Sequence, residues 1–341
     1  MFPSLKKGLV SASALTLLMA SASLAQDQPG TGKTIIMAQP SWDTGWFQTE
    51  VYKQMLAELD YELGATMTLD NPVFYQSVAM GDVTMWVDGW FPMHSTYAPI
   101  FEHGAETVGV VAEAGAYDGY LVDKATAERL NIVSLADFKR PEVIEAFDRN
   151  GDGKADLVSC PPGWSCETSI EFHLDAYGLR DHVNTINANY AASMADTVAA
   201  YEAGEPVFFY TWVPNWTVDT LIPGEDVVWI EVPEVALPGD LMALADAATQ
   251  SGIVGCVSDP CRLGFPVSDI VPVVNSDFIA DNPAVRALLE TARIPMPDII
   301  AQNARMNAGD KDIAAHASEW IAGNRAQVDE WLTAARAASA N

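Results

Sequence analysis

Val207-Phe208-Phe209-Tyr210-Thr211-Trp212-Val213-Pro214 is the stretch that decides the fold class. β-branched and aromatic residues follow one another without a charge, and Pro214 closes the run, so it reads as a buried strand. Working outward, Thr34–Met37, Met85-Trp86-Val87, Tyr120-Leu121-Val122, Val227–Val232 and Ile270–Val274 have the same character. Helical spacing lies between them. Glu50–Leu63 carries Val51, Met55, Leu56 and Leu59 on one face, and Leu135–Phe147 is helical with a break near Pro141. From Asn282 onward the chain reads as helix, ending in one amphipathic helix over Asp312–Ala338. Residues 233–267 are rich in Pro, Gly and Cys and read as loop. Strands alternating with helices predict an α/β protein with largely parallel sheets.

The first 25 residues read as a cleaved leader. Lys6 and Lys7 precede an apolar stretch from Leu9 to Ala20, too short to span a bilayer, and Ser23-Leu24-Ala25 supplies small residues for a cut before Gln26. No Cys follows that cut to take a lipid anchor. An exported protein in the periplasm is the expectation. The remainder of the 341 residues suits about two domains. No Gly/Ser linker divides them, so the crossings are structured hinges, near Gly119 and between Val232 and Val267. Acidic residues number 46 against 18 basic ones, a net charge of −28, which repels nucleic acid and anionic membrane. Four Cys in a secreted chain predict disulfides; Cys160, Cys166, Cys256 and Cys261 allow three pairings, and the two local ones are the simplest.

The ten Trp divide by context. Trp320 and Trp331 share a helical face with Ile313, Ile321, Val328 and Leu332, while Trp86 and Trp229 sit in apolar runs; all four read as core. Trp90, Trp164 and Trp212 instead lie at strand ends or in loops pinned by Pro, Gly or Cys, where large aromatics are costly to leave wet and function sits more often than in the core, which makes them candidates for a shared site. Indole faces suit a quaternary ammonium. It has no N–H to donate, and its diffuse charge under methyl groups favours a ring face at about 0.5–2 kcal/mol each.

Several stretches, in order along the chain, carry a resemblance. They are Gly89-Trp90-Phe91-Pro92-Met93-His94, Phe147–Leu157, Pro162-Gly163-Trp164-Ser165-Cys166-Glu167, Asn189-Tyr190-Ala191-Ala192, Val207–Trp212, Ala236–Asp240 and Gly264–Ser268. The chain resembles the periplasmic betaine-binding proteins of ProU-type ABC importers. That resemblance implies a two-lobed periplasmic-binding fold of the type II kind, with ligand in the cleft between lobe I (26–118 plus 233–341) and lobe II (119–232). It implies a box of Trp90, Trp164 and Trp212, with His94 and the backbone N–H groups of Ser165 and Cys166 holding a carboxylate. It also implies a Cys160–Cys166 bridge that fixes the Trp164 loop. Ser165 stands where the family usually has Gly, a change that keeps the backbone donor. Ser41-Trp42-Asp43-Thr44-Gly45-Trp46 departs from the near relatives, while choline- and amine-oxide-binding cousins have an aromatic near this point. Trp42 or Trp46 would then close a fourth wall and shrink the pocket toward trimethylamine N-oxide or choline.

The expected function is a monomeric binding protein that takes a small methylated onium ligand (glycine betaine, proline betaine, choline or trimethylamine N-oxide). It would deliver this to an ABC permease in the inner membrane. No cofactor is required. A ligand-sensing domain for the same compounds is the alternative, and a secreted choline or betaine enzyme a more distant one. Asp148, Asn150, Asp152, Lys154 and Asp156 follow the first positions of a calcium loop, but Ser159 stands where the bidentate Glu belongs, so a structural calcium ion is an open expectation. Gly30-Thr31-Gly32-Lys33-Thr34 lacks the first Gly of a phosphate loop, and Gly163–Glu167 lacks the last Gly of a nucleophile elbow. The five His show no metal spacing.

Overall fold

A computed structural model describes residues 28–339; the leader and its cleavage position lie outside the described residues. The run that opened the sequence reading forms the strand Phe208–Val213, buried along its whole length. It pairs antiparallel with the twelve-residue strand Ala112–Asp123, from Phe208 opposite Val122 to Val213 opposite Tyr117. On its other edge lies Ala155–Val158 and then Val183–Ile186, both parallel. The opposite end of Ala112–Asp123 pairs antiparallel with Ser268–Asn275, which in turn pairs antiparallel with Met85–Phe91. Val227–Ile230 lies against the far half of Ala112–Asp123, and Ala105–Thr107 against Ser268–Asn275.

The architecture is therefore α/β and two-lobed, with one long strand running from a wing built on Met85–Phe91 and Ser268–Asn275 into a wing built on Phe208–Val213. The expectation of largely parallel sheets needs correction. Among the described residues, parallel pairing between strands is limited to one edge and to the short pairs Thr34–Ile35 with Glu62–Leu63 and Ala38–Pro40 with Met67–Leu69, with single parallel bridges such as Met37 to Met85 besides. Apolar runs report burial on both faces, not strand direction, which depends on connections far away in sequence. Within the long strand Gly119 has a steric reason: a Cβ there would lie 2.9 Å from Trp229 Cε3.

The first helix begins at Trp46 and ends at Glu58, so residues 62–63 of the expected helix are strand instead. The break at Pro141 is present, separating a 3-10 turn Leu135–Lys139 from the helix Pro141–Phe147. The expected single helix over Asp312–Ala338 is two, Ile313–Gly323 and Arg325–Ala338. Gly323-Asn324 supplies a stop signal, and the rings of Trp320 and Trp331 stack across the break at 6.4 Å. Trp86, Trp229 and Trp331 are buried in the core and Trp320 packs against it. Two disulfides are present, Cys160–Cys166 and Cys256–Cys261, with Cα separations of 5.9 and 6.1 Å.

Candidate functional site

Four indoles from four chain segments meet in one pocket. Trp90 comes from the end of Met85–Phe91, and Trp212 from Phe208–Val213. Trp164 precedes the helix Ser165–Ala176, inside the loop closed by Cys160–Cys166. Trp42 stands before the 3-10 turn Asp43–Gly45. Together with Asn71, Met93, His94, Asp118, Ser165, Cys166 and Tyr210 they line a cavity of about 30 Å³. Trp164 meets Trp42 edge-on at 5.2 Å and 72°, and Trp212 at 5.6 Å and 76°. Tyr190 backs both Trp164 and Trp212, at 6.0 and 4.6 Å.

The indole N–H groups anchor three of these walls. Trp42 Nε1 donates to Asp88 Oδ2 at 2.6 Å, Trp164 Nε1 to Ser41 Oγ at 2.8 Å, and Trp212 Nε1 to Thr44 Oγ1 at 3.3 Å. Ser41 in turn donates to Asp70. Burial pushes the Asp88 carboxyl up to about 7, opposed by the Trp42 N–H. Of the two candidates for a fourth wall, Trp42 lines the pocket. Trp46 is half-buried, donates to the Pro40 carbonyl at 2.8 Å and lines the outer groove with Asp43, Pro161 and Pro162.

His94 reaches the pocket wall but is buried and engaged on both nitrogens. Its Nδ1 accepts from the Trp90 backbone N–H at 3.1 Å and faces the Tyr75 hydroxyl at 2.7 Å. Its Nε2 lies 2.8 Å from Asn71 Nδ2. Burial lowers its pKa to about 3, so the ring is neutral. Ser165 and Cys166 open the helix Ser165–Ala176. The first backbone N–H groups of a helix lack partners within it and favour an anion.

Sequence reasoning missed Asp118, Tyr210, Asn71 and Asp88. Asp118 is buried, accepts the Tyr210 hydroxyl on Oδ1, and burial raises its pKa to about 7. The available signal was one acid in an otherwise apolar strand, Ala116–Val122 beside Phe208–Val213.

The acidic loop lies elsewhere. Asp148 accepts the backbone N–H groups of Gly151, Asp152 and Gly153 at 2.8–3.0 Å, and Asp156 those of Arg149 and Asn150. Asn150 Oδ1 accepts from the Asp152 N–H, and Asp152 Oδ1 from the Lys154 N–H. Among the described residues no group of three or more His, Cys, Asp or Glu is arranged to hold a metal.

The family model for the substrate-binding domain of ABC-type glycine betaine transport systems matches residues 33–323. The chain belongs to this family. It is therefore a substrate-binding receptor protein and not an enzyme. It is 40% identical over 334 residues to the glycine betaine-binding periplasmic protein OusX of Dickeya dadantii, covering 95% of this chain and 96% of that one. It is 38% identical to the glycine betaine/proline betaine-binding periplasmic protein of Escherichia coli, covering 98% and 99%. Among solved structures, the fold matches lactococcal OpuAC complexed with glycine betaine, with a TM-score of 0.65 at 19% identity over 88% of this chain and 99% of that one. It also matches an ABC-transporter choline-binding protein with choline, with a TM-score of 0.67 at 18% identity over 90% and 96%. No helix among the described residues is long and apolar enough to cross a membrane.

Proposed function

We propose that this family member is a periplasmic receptor for a small methylated ammonium compound of the glycine betaine class, which it delivers to an ABC permease as a monomer. The observation that carries the reading is the four-indole pocket of Trp42, Trp90, Trp164 and Trp212. An onium group there meets negative ring potential on several sides, worth roughly 0.5–2 kcal/mol per ring. An anionic end would lie at the Ser165 and Cys166 N–H groups, with the neutral His94 alongside. After the costs of association, affinity near micromolar is expected, about −8 kcal/mol. The relatives' periplasmic names support export of this chain.

The lobes are taken as 26–118 with 233–341 and 119–232, closing about the long strand near Gly119 and about the 233–267 return. The change from pairing with Ser268–Asn275 to pairing with Phe208–Val213, between Ala116 and Tyr117, supports this. Trp42 as a wall favours the smaller members of the ligand class, trimethylamine N-oxide and choline among them. Calorimetry with glycine betaine, proline betaine, choline and trimethylamine N-oxide tests the proposal. At least one should bind at micromolar concentration; no heat from any would refute it.

A further inference from the structure

We propose that Asp118 is the counter-charge to the onium group, its unbonded carboxylate oxygen facing the cavity that the indole rings enclose. This rests on the onium-binding reading above and adds a specificity-determining residue to it. Asp118 stands directly opposite Trp212 in the strand register, so the two side chains leave the same face of the sheet. Tyr210, two residues from Trp212 on that face, donates its hydroxyl to Asp118 Oδ1. Oδ2 has no hydrogen-bond partner, although the residue is only 1% exposed and lines the pocket. A buried carboxylate oxygen left in this condition is costly and calls for something to satisfy it.

Among the described residues, nothing cationic lining the pocket does so. The lining of the pocket contains no Lys or Arg, and His94, its only imidazole, is neutral. The titratable groups around Asp118 are the hydroxyls of Tyr210, Tyr120 and Tyr190, all held in the protonated form by burial. Asp88 stands behind Trp42 and adds no positive charge. The positive charge that the site lacks is the one an onium ligand brings.

A consequence follows for proton balance. Burial holds the empty site's carboxyl near 7, so it is partly protonated at neutral pH. An onium charge beside it favours the ionised form, and binding then expels the proton. Affinity therefore rises with pH toward about 7 and levels off above it, by at most tenfold per pH unit below that point.

Calorimetry of the whole protein at pH 6.5, in phosphate and in imidazole buffer, reads the protons released. Tetramethylammonium and glycine betaine are the two probes. The wild type should release a sizeable fraction of a proton with each, and almost none at pH 8.5. Asp118→Asn should release markedly less at pH 6.5, leaving only what Asp88 behind Trp42 contributes, and bind tetramethylammonium at least tenfold more weakly. Glycine betaine, with its own carboxylate held elsewhere, should lose less. Tyr210→Phe keeps the carboxylate but removes its donor, and should move the release to higher pH. Wild-type tetramethylammonium affinity or wild-type proton release in Asp118→Asn overturns the proposal while leaving the receptor reading intact. Failure of the wild type to bind either probe overturns the proposal, and the receptor reading falls with it only if proline betaine, choline and trimethylamine N-oxide also give no heat.

Discussion

The pocket and the core use the same residue differently. Trp86 and Trp229 are fully buried, and Trp42, Trp90, Trp164 and Trp212 are at most 7% exposed, so burial does not separate them. A face on the cavity does, and at three of the four walls an anchored N–H goes with it. Trp86 lies flat on Phe74 at 3.8 Å and 17° and is met edge-on by Tyr75, with its indole N–H unsatisfied. Trp229 packs against Tyr117, and its N–H also lacks a partner. Trp42, Trp164 and Trp212 have their N–H groups bound by Asp88, Ser41 and Thr44, which fixes the rings along the cavity. The N–H pattern is not a rule: Trp90 lines the cavity with its Nε1 unbonded, and Trp320 donates to Asp298 while packing on the core, so a face on the cavity is what marks a wall.

The largest effect should come from the core. Trp86→Ala removes a ring with partners on several sides and should cost about 3–5 kcal/mol of stability in urea unfolding. A loss below about 1 kcal/mol would break the contrast. Next come the walls. Trp90→Ala, Trp164→Ala and Trp212→Ala should each weaken ligand binding by about 1–3 kcal/mol in calorimetry, with smaller stability losses than at Trp86. Trp42→Ala belongs with them and Trp46→Ala does not. Unchanged affinity in two of the first three would show that the pocket is not the binding site. The smallest effect is expected at the acidic loop. Its carboxylates already accept backbone N–H groups, so EDTA should leave the thermal midpoint within about 1 °C. A clear rise on adding calcium would assign Asp148–Asp156 a metal.

Much of this was legible in sequence because rigid punctuation surrounds the walls. Pro92, the Cys160–Cys166 segment and Pro214 mark Trp90, Trp164 and Trp212 as loop or strand-end residues. Trp42 and Trp46 could not be ranked, since only Asp88, 46 residues from Trp42, decides which indole turns inward. Gly45 allows that approach, because a Cβ there would collide with the Asp88 carboxylate. Asp118 was hidden for a related reason. One acid in an apolar strand has no meaning until the register sets it beside Trp212. Strand direction was lost because Ala112–Asp123 takes its antiparallel partners from segments about 90 and 150 residues downstream. The helix break at Gly323-Asn324 was readable, and the continuous apolar stripe obscured it.

The gathering of four indoles around one small space also gives the molecule an optical property. Indole emission follows the polarity and charge lying against the ring. Trp86 and Trp229, sealed from any visitor, supply a steady background, while the rings at 42, 90, 164 and 212 respond together to whatever enters. Occupancy of this receptor can therefore be followed by its own ultraviolet fluorescence, without a dye.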